Sequence, residues 1–176
     1  MRINSGIYKG RKLYPPKNLP VRPTTDKAKE ALFNILNNEF YFEDLAVLDL
    51  FSGTGNISYE FASRGSNPVT AVDADFRCIR FINETINMLN APIKAVRANV
   101  FSYLNTVSGR FDIIFADPPY NLERINEIPD AIFNNDLLNP EGLLVVEHSA
   151  NTDFSKHPFY NETRIYSKVN FSFFRK

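Results

Sequence analysis

Cysteine is almost absent from this chain. Cys78 is the single one among 176 residues, so no internal disulfide can form. It sits in a helical stretch beside Ile79 and reads as a structural residue. Histidine is nearly as scarce: His148 and His157 have no cysteine partners and no His-Glu spacing, and a metal site is not expected. No motif arranges serine, histidine and aspartate for nucleophilic catalysis; Ser149 beside His148 reads as coincidence. No apolar run approaches the roughly 18 residues of a membrane span. The basic start MRINSGIYKGRKL lacks the apolar core of a signal peptide, and a cytoplasmic protein without membrane attachment is expected. Repeats, low-complexity tracts and a second-domain linker are missing too. What remains is a chain sized for one domain, 44% hydrophobic and able to bury a sizeable core.

Net charge is also absent, but the zero hides an asymmetry. Residues 1–30 carry eight basic side chains (Arg2, Lys9, Arg11, Lys12, Lys17, Arg22, Lys27, Lys29) against Asp26 and Glu30, so this segment is +6 and the remainder −6. A basic arm on an acidic domain either is a solvated surface or contacts phosphates by displacing counterions from nucleic acid. Tyr8 and Tyr14, interleaved with the charges, are candidates to stack on unpaired bases.

Residues 1–23 read as an extended or hairpin arm punctuated by Gly6, Gly10 and the turn-prone YPPKNLP. A helix capped by Thr25 or Asp26 follows, with Ala28, Ala31, Leu32, Ile35 and Leu36 on its apolar face. Strands and helices then alternate through residues 24–176, the expected catalytic domain. AVLDLF, VTAVDA, IKAVRA, FDIIFA and GLLVVEH are strand-like. NISYEFASRG, Phe76–Asn90, a short piece around Phe101–Val107 and INEIPDAIFNNDLL are helix-like, the last interrupted at Pro129. NPEG reads as the turn into the fifth strand, and TRIYSKVNFSFFRK as an antiparallel pair. This is an α/β pattern: a seven-stranded, mostly parallel sheet covered on both faces, with an antiparallel C-terminal pair. Ligands of such sheets bind beyond the carboxyl ends of the strands.

Suggestive residues cluster there. In LDLFSGTGN, Asp49 precedes Phe51, Ser52, Gly53 and Gly55, a loop between a strand and a helix whose glycines let backbone approach a ligand. It is a poor dinucleotide fingerprint, because Ser58 occupies the third glycine position. An acid beside the glycines suits a ligand with positive charge, such as the ammonium and sulfonium of S-adenosylmethionine. In AVDAD, Asp73 ends the next strand, where a carboxylate can accept both ribose hydroxyls, with Ala74 beside it; Asp75 fits helix capping better. Asn99 and Val100 follow the third strand; Asn99 either reads an adenine edge or caps a helix. Asp117, Pro118, Pro119 and Tyr120 end the fourth strand. A nucleobase amine is a poor nucleophile because its lone pair is delocalised into the ring. A carboxylate and the Pro118 carbonyl can accept its two N–H bonds and favour a pyramidal nitrogen, the prolines stiffening these acceptors and Tyr120 offering a stacking face.

DPPY resembles the catalytic motif of methyltransferases that modify nucleobase amino groups, and the glycine loop with its acid resembles the class I S-adenosylmethionine site. GIYKGRKL, RPTTDKAKEALFNIL, LDLFSGTGNISYEFASRG, DPPY and VVEHS together resemble the RsmD family, bacterial rRNA guanine 2-amino methyltransferases. The chain departs from the family at Asn99, where many relatives carry aspartate, at Asn56, which replaces a small residue, and in a tail without the usual tyrosine–glycine. The resemblance implies a Rossmann-like class I methyltransferase fold and S-adenosylmethionine as cofactor. It also implies a guanine of 16S rRNA, in an assembled or assembling small subunit, as substrate. The charge of the arm makes Arg2, Lys9, Arg11 and Lys12 the expected phosphate contacts, and Arg22 and Thr24 of RPTT either line the target side or form a helix entry. Rival readings are a DNA adenine or cytosine amino methyltransferase, for whose recognition region the chain has little room, and a non-catalytic RNA-binding assembly factor. A nicotinamide oxidoreductase is disfavoured by Ser58 and DPPY. Since the glycine loop and Asp73 lie far downstream, removing residues 1–18 is expected to leave the cofactor site intact.

Overall fold

The computed structural model describes residues 1–19 and 25–176; Arg22 and Thr24 lie outside them. Seven strands form one sheet: β1 (Val47–Leu50), β2 (Val69–Asp73), β3 (Ile93–Arg97), β4 (Phe111–Ala116), β5 (Leu138–His148), β6 (Tyr160–Tyr166) and β7 (Val169–Phe174). Their order is β3-β2-β1-β4-β5-β7-β6, parallel from β3 through β5 and antiparallel for β7 and β6. The short helices are α1 (Asp26–Leu36), α2 (Asn56–Ser63), α3 (Phe76–Leu89), α4 (Val100–Leu104) and α5 (Glu127–Asn134).

Successive strand residues point to opposite faces, and here both faces are buried, which is why the central strands read as unbroken apolar runs. Val47, Ile113 and Val145 enter one core layer with Leu32 of α1, Phe61 of α2 and Ile82 of α3. Leu48, Ile114 and Val146 enter the other, with Leu104 of α4 and Ile132 of α5. Parallel strands in register deliver all their carboxyl ends to one rim, and that places the site.

Several local expectations change. INEIPDAIFNNDLL is not one helix: α5 covers only Glu127–Asn134, and Leu138 already pairs with Phe111 in β5. Pro129 does not interrupt it, because Pro129 lies in the first turn, where no intrahelical N–H bond is required. NPEG is not a turn before β5 but a bulge within it, since Phe111 and Ile113 pair with Leu138 and Leu143. Asp112 anchors the bulge by accepting from Asn139 Nδ2 (2.8 Å) and holds the strand entry by accepting from the Ala46 N–H (2.8 Å). The first strand of the terminal pair starts at Tyr160, upstream of the expected Thr163.

The N-terminal segment is a docked hairpin. Ile3 N–H donates to the Arg11 carbonyl (3.0 Å) and Gly10 N–H to the Ile3 carbonyl (2.9 Å). Ile3 and Leu13 are buried in the first core layer. The turn lies on the end of α2: Ile7 N–H donates to Ser63 O (2.7 Å), and Tyr8 N–H to Ser63 Oγ (2.9 Å). Gly6 (φ +78°) is required there, because a Cβ would stand 1.7 Å from Ser63 O. Lys29, expected among the basic surface residues, is fully buried on α1. Its Nζ donates to Arg2 O (2.5 Å) and Asn56 Oδ1 (3.0 Å), and lies 3.5 Å from Glu60 Oε2. Tyr8 is half-buried, its hydroxyl donating to Asn90 O (3.3 Å). Tyr14 is exposed.

The hairpin therefore belongs to the fold, and removing residues 1–18 would strip the core of Ile3 and Leu13. Ile3→Ala should destabilise the protein by about 2–5 kcal/mol, as for other buried large-to-small changes. Ile7→Ala, at a position 77% exposed, should cost within about 0.5 kcal/mol. Urea denaturation of both variants measures the contrast; equal small effects would mean that the hairpin does not pack as described.

Candidate active site

β1 pairs with β2 and β4 so that Leu50 stands beside Val72 on one side and Ala116 on the other. The three chains therefore leave the sheet side by side. Phe51 turns the first of them sharply, with φ +58°. A bulky side chain in the left-handed region stores strain of about 1–3 kcal/mol, which the surroundings must offset. They do so by hydrogen bonds: Ser52 N–H donates to Val72 O (3.0 Å), Gly55 N–H to Ser52 O (2.8 Å), and Gly53 N–H to Asp73 Oδ2 (2.8 Å). Gly55, at φ +81°, begins α2 with its backbone against the Tyr59 ring; a Cβ would come within 2.8 Å of it.

Asp49 is buried one residue before the end of β1. Ser58 Oγ donates to its Oδ2 at 2.5 Å. The residue that spoils a dinucleotide fingerprint thus holds this carboxyl. Burial pushes the Asp49 pKa up to about 7, with the Asp73 charge adding to the rise and the Ser58 hydrogen bonds opposing it. The Asp73 pKa is raised as well, chiefly by burial, although the N–H groups of Gly53 and Asp75 (2.8 Å to its Oδ1) stabilise its ionised form. Asp75 is the cap of α3, accepting from the Arg77 N–H at 2.8 Å. Asn99 caps α4 by accepting from the Ser102 N–H (3.2 Å).

The fourth strand ends in the DPPY turn. Asp117 N–H donates to Leu50 O (3.3 Å), tying the turn to β1, and the Pro119 carbonyl accepts from Leu122 N–H (2.9 Å). Pro118 is buried and Pro119 exposed. Tyr120 OH donates to Oε1 of Glu147 at 3.4 Å; Glu147, buried near the end of β5, comes from the VVEHS stretch.

These loops enclose one cavity of about 920 Å3. Asp49, Phe51, Ser52, Gly53, Asp73, Ala74, Asn99, Val100, Asp117, Pro118, Pro119 and Tyr120 all line it. Gly55 does not; it supports the loop from behind. Arg2, Lys9, Arg11 and Lys12 are exposed but lie outside the wall. Sequence reasoning missed Pro15, Pro16, Lys17 and Leu19, which close the cavity from the N-terminal segment, and Asp26, Asn56 and Leu122. YPPKNLP was visible as a turn, but nothing local says where the turn docks. Among the described residues, Asp26, Asp49, Asp73, Asp75 and Asp117 line this cavity together with Lys17 and Met1. Such a wall repels phosphate and attracts a cationic ligand. Among the described residues no cluster of His, Cys, Asp and Glu is arranged to hold a metal ion, and no helix is long and apolar enough to cross a membrane.

A parallel sheet with an antiparallel end pair, a glycine loop beside a ribose-type acid and a DPPY turn on the same rim together define a class I methyltransferase. The precorrin-6y C5,15-methyltransferase of Geobacter metallireducens GS-15 shares this fold at 17% identity, with a TM-score of 0.74 over 94% of both chains. The family model described as Conserved hypothetical protein 95 matches residues 1–175. YlbH of Bacillus subtilis (strain 168) is 35% identical over 153 residues, 84% of this chain and 82% of the relative. Ribosomal RNA small subunit methyltransferase D of Escherichia coli (strain K12) is 32% identical over 148 residues, 84% and 74% of the two chains. The solved structure of yhhF from Escherichia coli, 28% identical, superposes with a TM-score of 0.87 over 99% of this chain and 96% of the other. The chain belongs to the RsmD family of methyltransferases.

Asp49 generates a pH prediction. Its folded pKa lies near 7, above the ordinary 3.8. Between these values the folded state holds a proton that the unfolded state has released, so stability falls as pH rises from about 4 to 7. Asp49→Asn should flatten that slope and raise stability at pH 8, an effect on the order of a few kcal/mol. Thermal denaturation across a pH series measures it; parallel pH profiles for the two proteins would contradict the burial of an ionisable Asp49.

Proposed function

We propose that this protein transfers a methyl group from S-adenosylmethionine to the exocyclic 2-amino group of a guanine in small-subunit ribosomal RNA. The observation that carries this reading is the sharing of one acidic cavity by the glycine loop, Asp73 and the DPPY turn. The cofactor fits the residues present. Asp73 would take the ribose hydroxyls, the Asn99 amide would meet the adenine edge beside Ala74 and Val100, and Asp49, Phe51, Ser52 and Gly53 would surround the cationic end. When bound, it supplies an activated methyl on a positively charged sulfur.

The chain supplies alignment. Asp117 and the Pro118 carbonyl would accept the two N–H bonds of the target amine, holding its nitrogen toward the methyl. Pro119 stiffens the turn, and Tyr120, oriented by Glu147, would stack on the base. The methylated ammonium is acidic enough to lose its proton to Asp117 or to water. A base inside a helix cannot reach this cavity, so the target must leave its stack.

The charge distribution supports an RNA substrate held from outside. The cavity wall is acidic, whereas Arg2, Lys9, Arg11 and Lys12 are exposed on the N-terminal segment outside it. Phosphates would be gripped there while the base alone enters, and Arg22 and Thr24 would be further target contacts. Support for the ribosomal target comes from the Escherichia coli relative, named a small-subunit rRNA methyltransferase. An assembled or assembling subunit in the cytoplasm is the proposed substrate.

The test is tritium transfer from labelled cofactor to unmethylated subunits, naked rRNA and duplex DNA, with nucleoside mass spectrometry of the product. Methylguanine formed on subunits is expected, and a preference for duplex DNA would overturn the reading. Asp117→Ala should lower turnover by about a hundredfold or more, through lost orientation, with cofactor affinity by calorimetry nearly unchanged. Tyr120→Ala should weaken target engagement by about 1–3 kcal/mol. Replacing Arg2, Lys9, Arg11 or Lys12 should make the salt dependence of RNA binding shallower, by a slope of about 1 per contact.

A further inference from the structure

Lys29 is a charged side chain buried outside the cavity wall. It is 0% exposed, and so is its ion-pair partner Glu60. An ammonium has three N–H bonds, and three acceptors meet this one: the Arg2 carbonyl, Asn56 Oδ1 and the Glu60 carboxylate. Burying such a pair is costly, and an apolar side chain would fill the same face of α1 with less desolvation. The three acceptors belong to two elements, the hairpin and α2, and on α2 they stand one turn apart. Arg2 is in the hairpin. Glu60, in the middle of α2, also accepts from the hairpin's Asn4 N–H (2.8 Å) and pairs with Arg64 (2.9 Å). Asn56 directly follows Gly55, opens α2 and lines the cavity. One buried cation therefore spans from the docked hairpin to the end of the glycine loop.

We propose that Lys29 is a positioning residue that couples docking of the hairpin to the conformation of the glycine loop, so that a ligand in the cavity and a seated hairpin stabilise each other. The inference rests on the reading of the cavity as the cofactor site. Its mechanical basis is that Asn56 can keep its bond to Lys29 only when the loop leaves Gly55 in its present direction. Arg2 O can reach the same ammonium only when the hairpin is seated. Coupling of this kind is reciprocal. In function it would link occupancy of the cavity to the set of the exposed cations that meet RNA.

The test uses the full chain, with S-adenosylhomocysteine as the probe and amide hydrogen exchange as the readout. The reporters are the N–H groups of Ile7 and Tyr8, which are held by Ser63 and lie outside the cavity. In the wild-type protein, saturating probe should slow their exchange by about fivefold or more, the lower end of ordinary coupling. Lys29→Met should abolish this response while the two amides remain protected without probe. Should that variant not fold, Asn56→Ala decides, since it cuts the loop end of the link and leaves Lys29 paired with Glu60. In the reverse direction, Gly6→Ala, which lifts the hairpin from Ser63, should weaken probe affinity by about fivefold. Probe binding without slower exchange in the wild type overturns the coupling, as does an undiminished response in Asn56→Ala or unchanged affinity in Gly6→Ala. Absence of probe binding by the wild-type protein would instead refute the cofactor reading on which the inference rests.

Discussion

The parallel pairing of β1 with β2 and β4 is the constraint on which the rest of this molecule depends. Backbone hydrogen bonds align Leu50, Val72 and Ala116 across three neighbouring strands. The chain must then leave each strand on the same side of the sheet, within reach of the others. Asp117 N–H reaches Leu50 O, Ser52 N–H reaches Val72 O, and Gly53 N–H reaches the Asp73 carboxylate. Slipping one strand by a single residue would turn its core side chains to the opposite face and separate these groups. The cavity is thus a consequence of strand register more than of any one loop.

Charge is distributed around that frame by burial. Within the cavity wall, burial holds the Asp49 carboxyl up near neutral pH, and the neighbouring Asp73 charge adds to the rise. Outside it, cations of the N-terminal segment are left in water, where they keep their charge and their counterions. Lys29 belongs to neither group. Its charge is neutralised internally, and the net positive charge of residues 1–30 therefore overstates what a polyanion would meet. The separation matters physically, because a cleft that attracted phosphate would compete with insertion of the base.

Much of this was legible without coordinates. Continuous apolar strands, helical spacings and the acids at strand ends are local features, and the order of α1 through β4 and many of the cavity residues between Asp49 and Tyr120, though not Asn56, followed from them. The failures are also local in origin. INEIPDAIFNNDLL is apolar at helical spacing through Leu138, but pairing with Phe111 draws Leu138 into the sheet. NPEG carries every signal of a turn and is instead a bulge, because Asp112 on the neighbouring strand holds Asn139.

By itself the sequence determined the class of fold, the rim on which chemistry would gather and the residue types that would meet there, because periodicity, glycine placement and proline stiffness act over a few residues. Tertiary structure alone decided that the basic arm is a hairpin with Ile3 and Leu13 in the core, and that Lys29 is a buried tether rather than a surface charge. It also decided that Pro15, Pro16, Lys17 and Leu19 complete the cavity wall and that Glu147 holds Tyr120. Each of these depends on contacts between segments distant in sequence. Their sign, buried or exposed, is set by what lies across the interface and not by the residues that enter it.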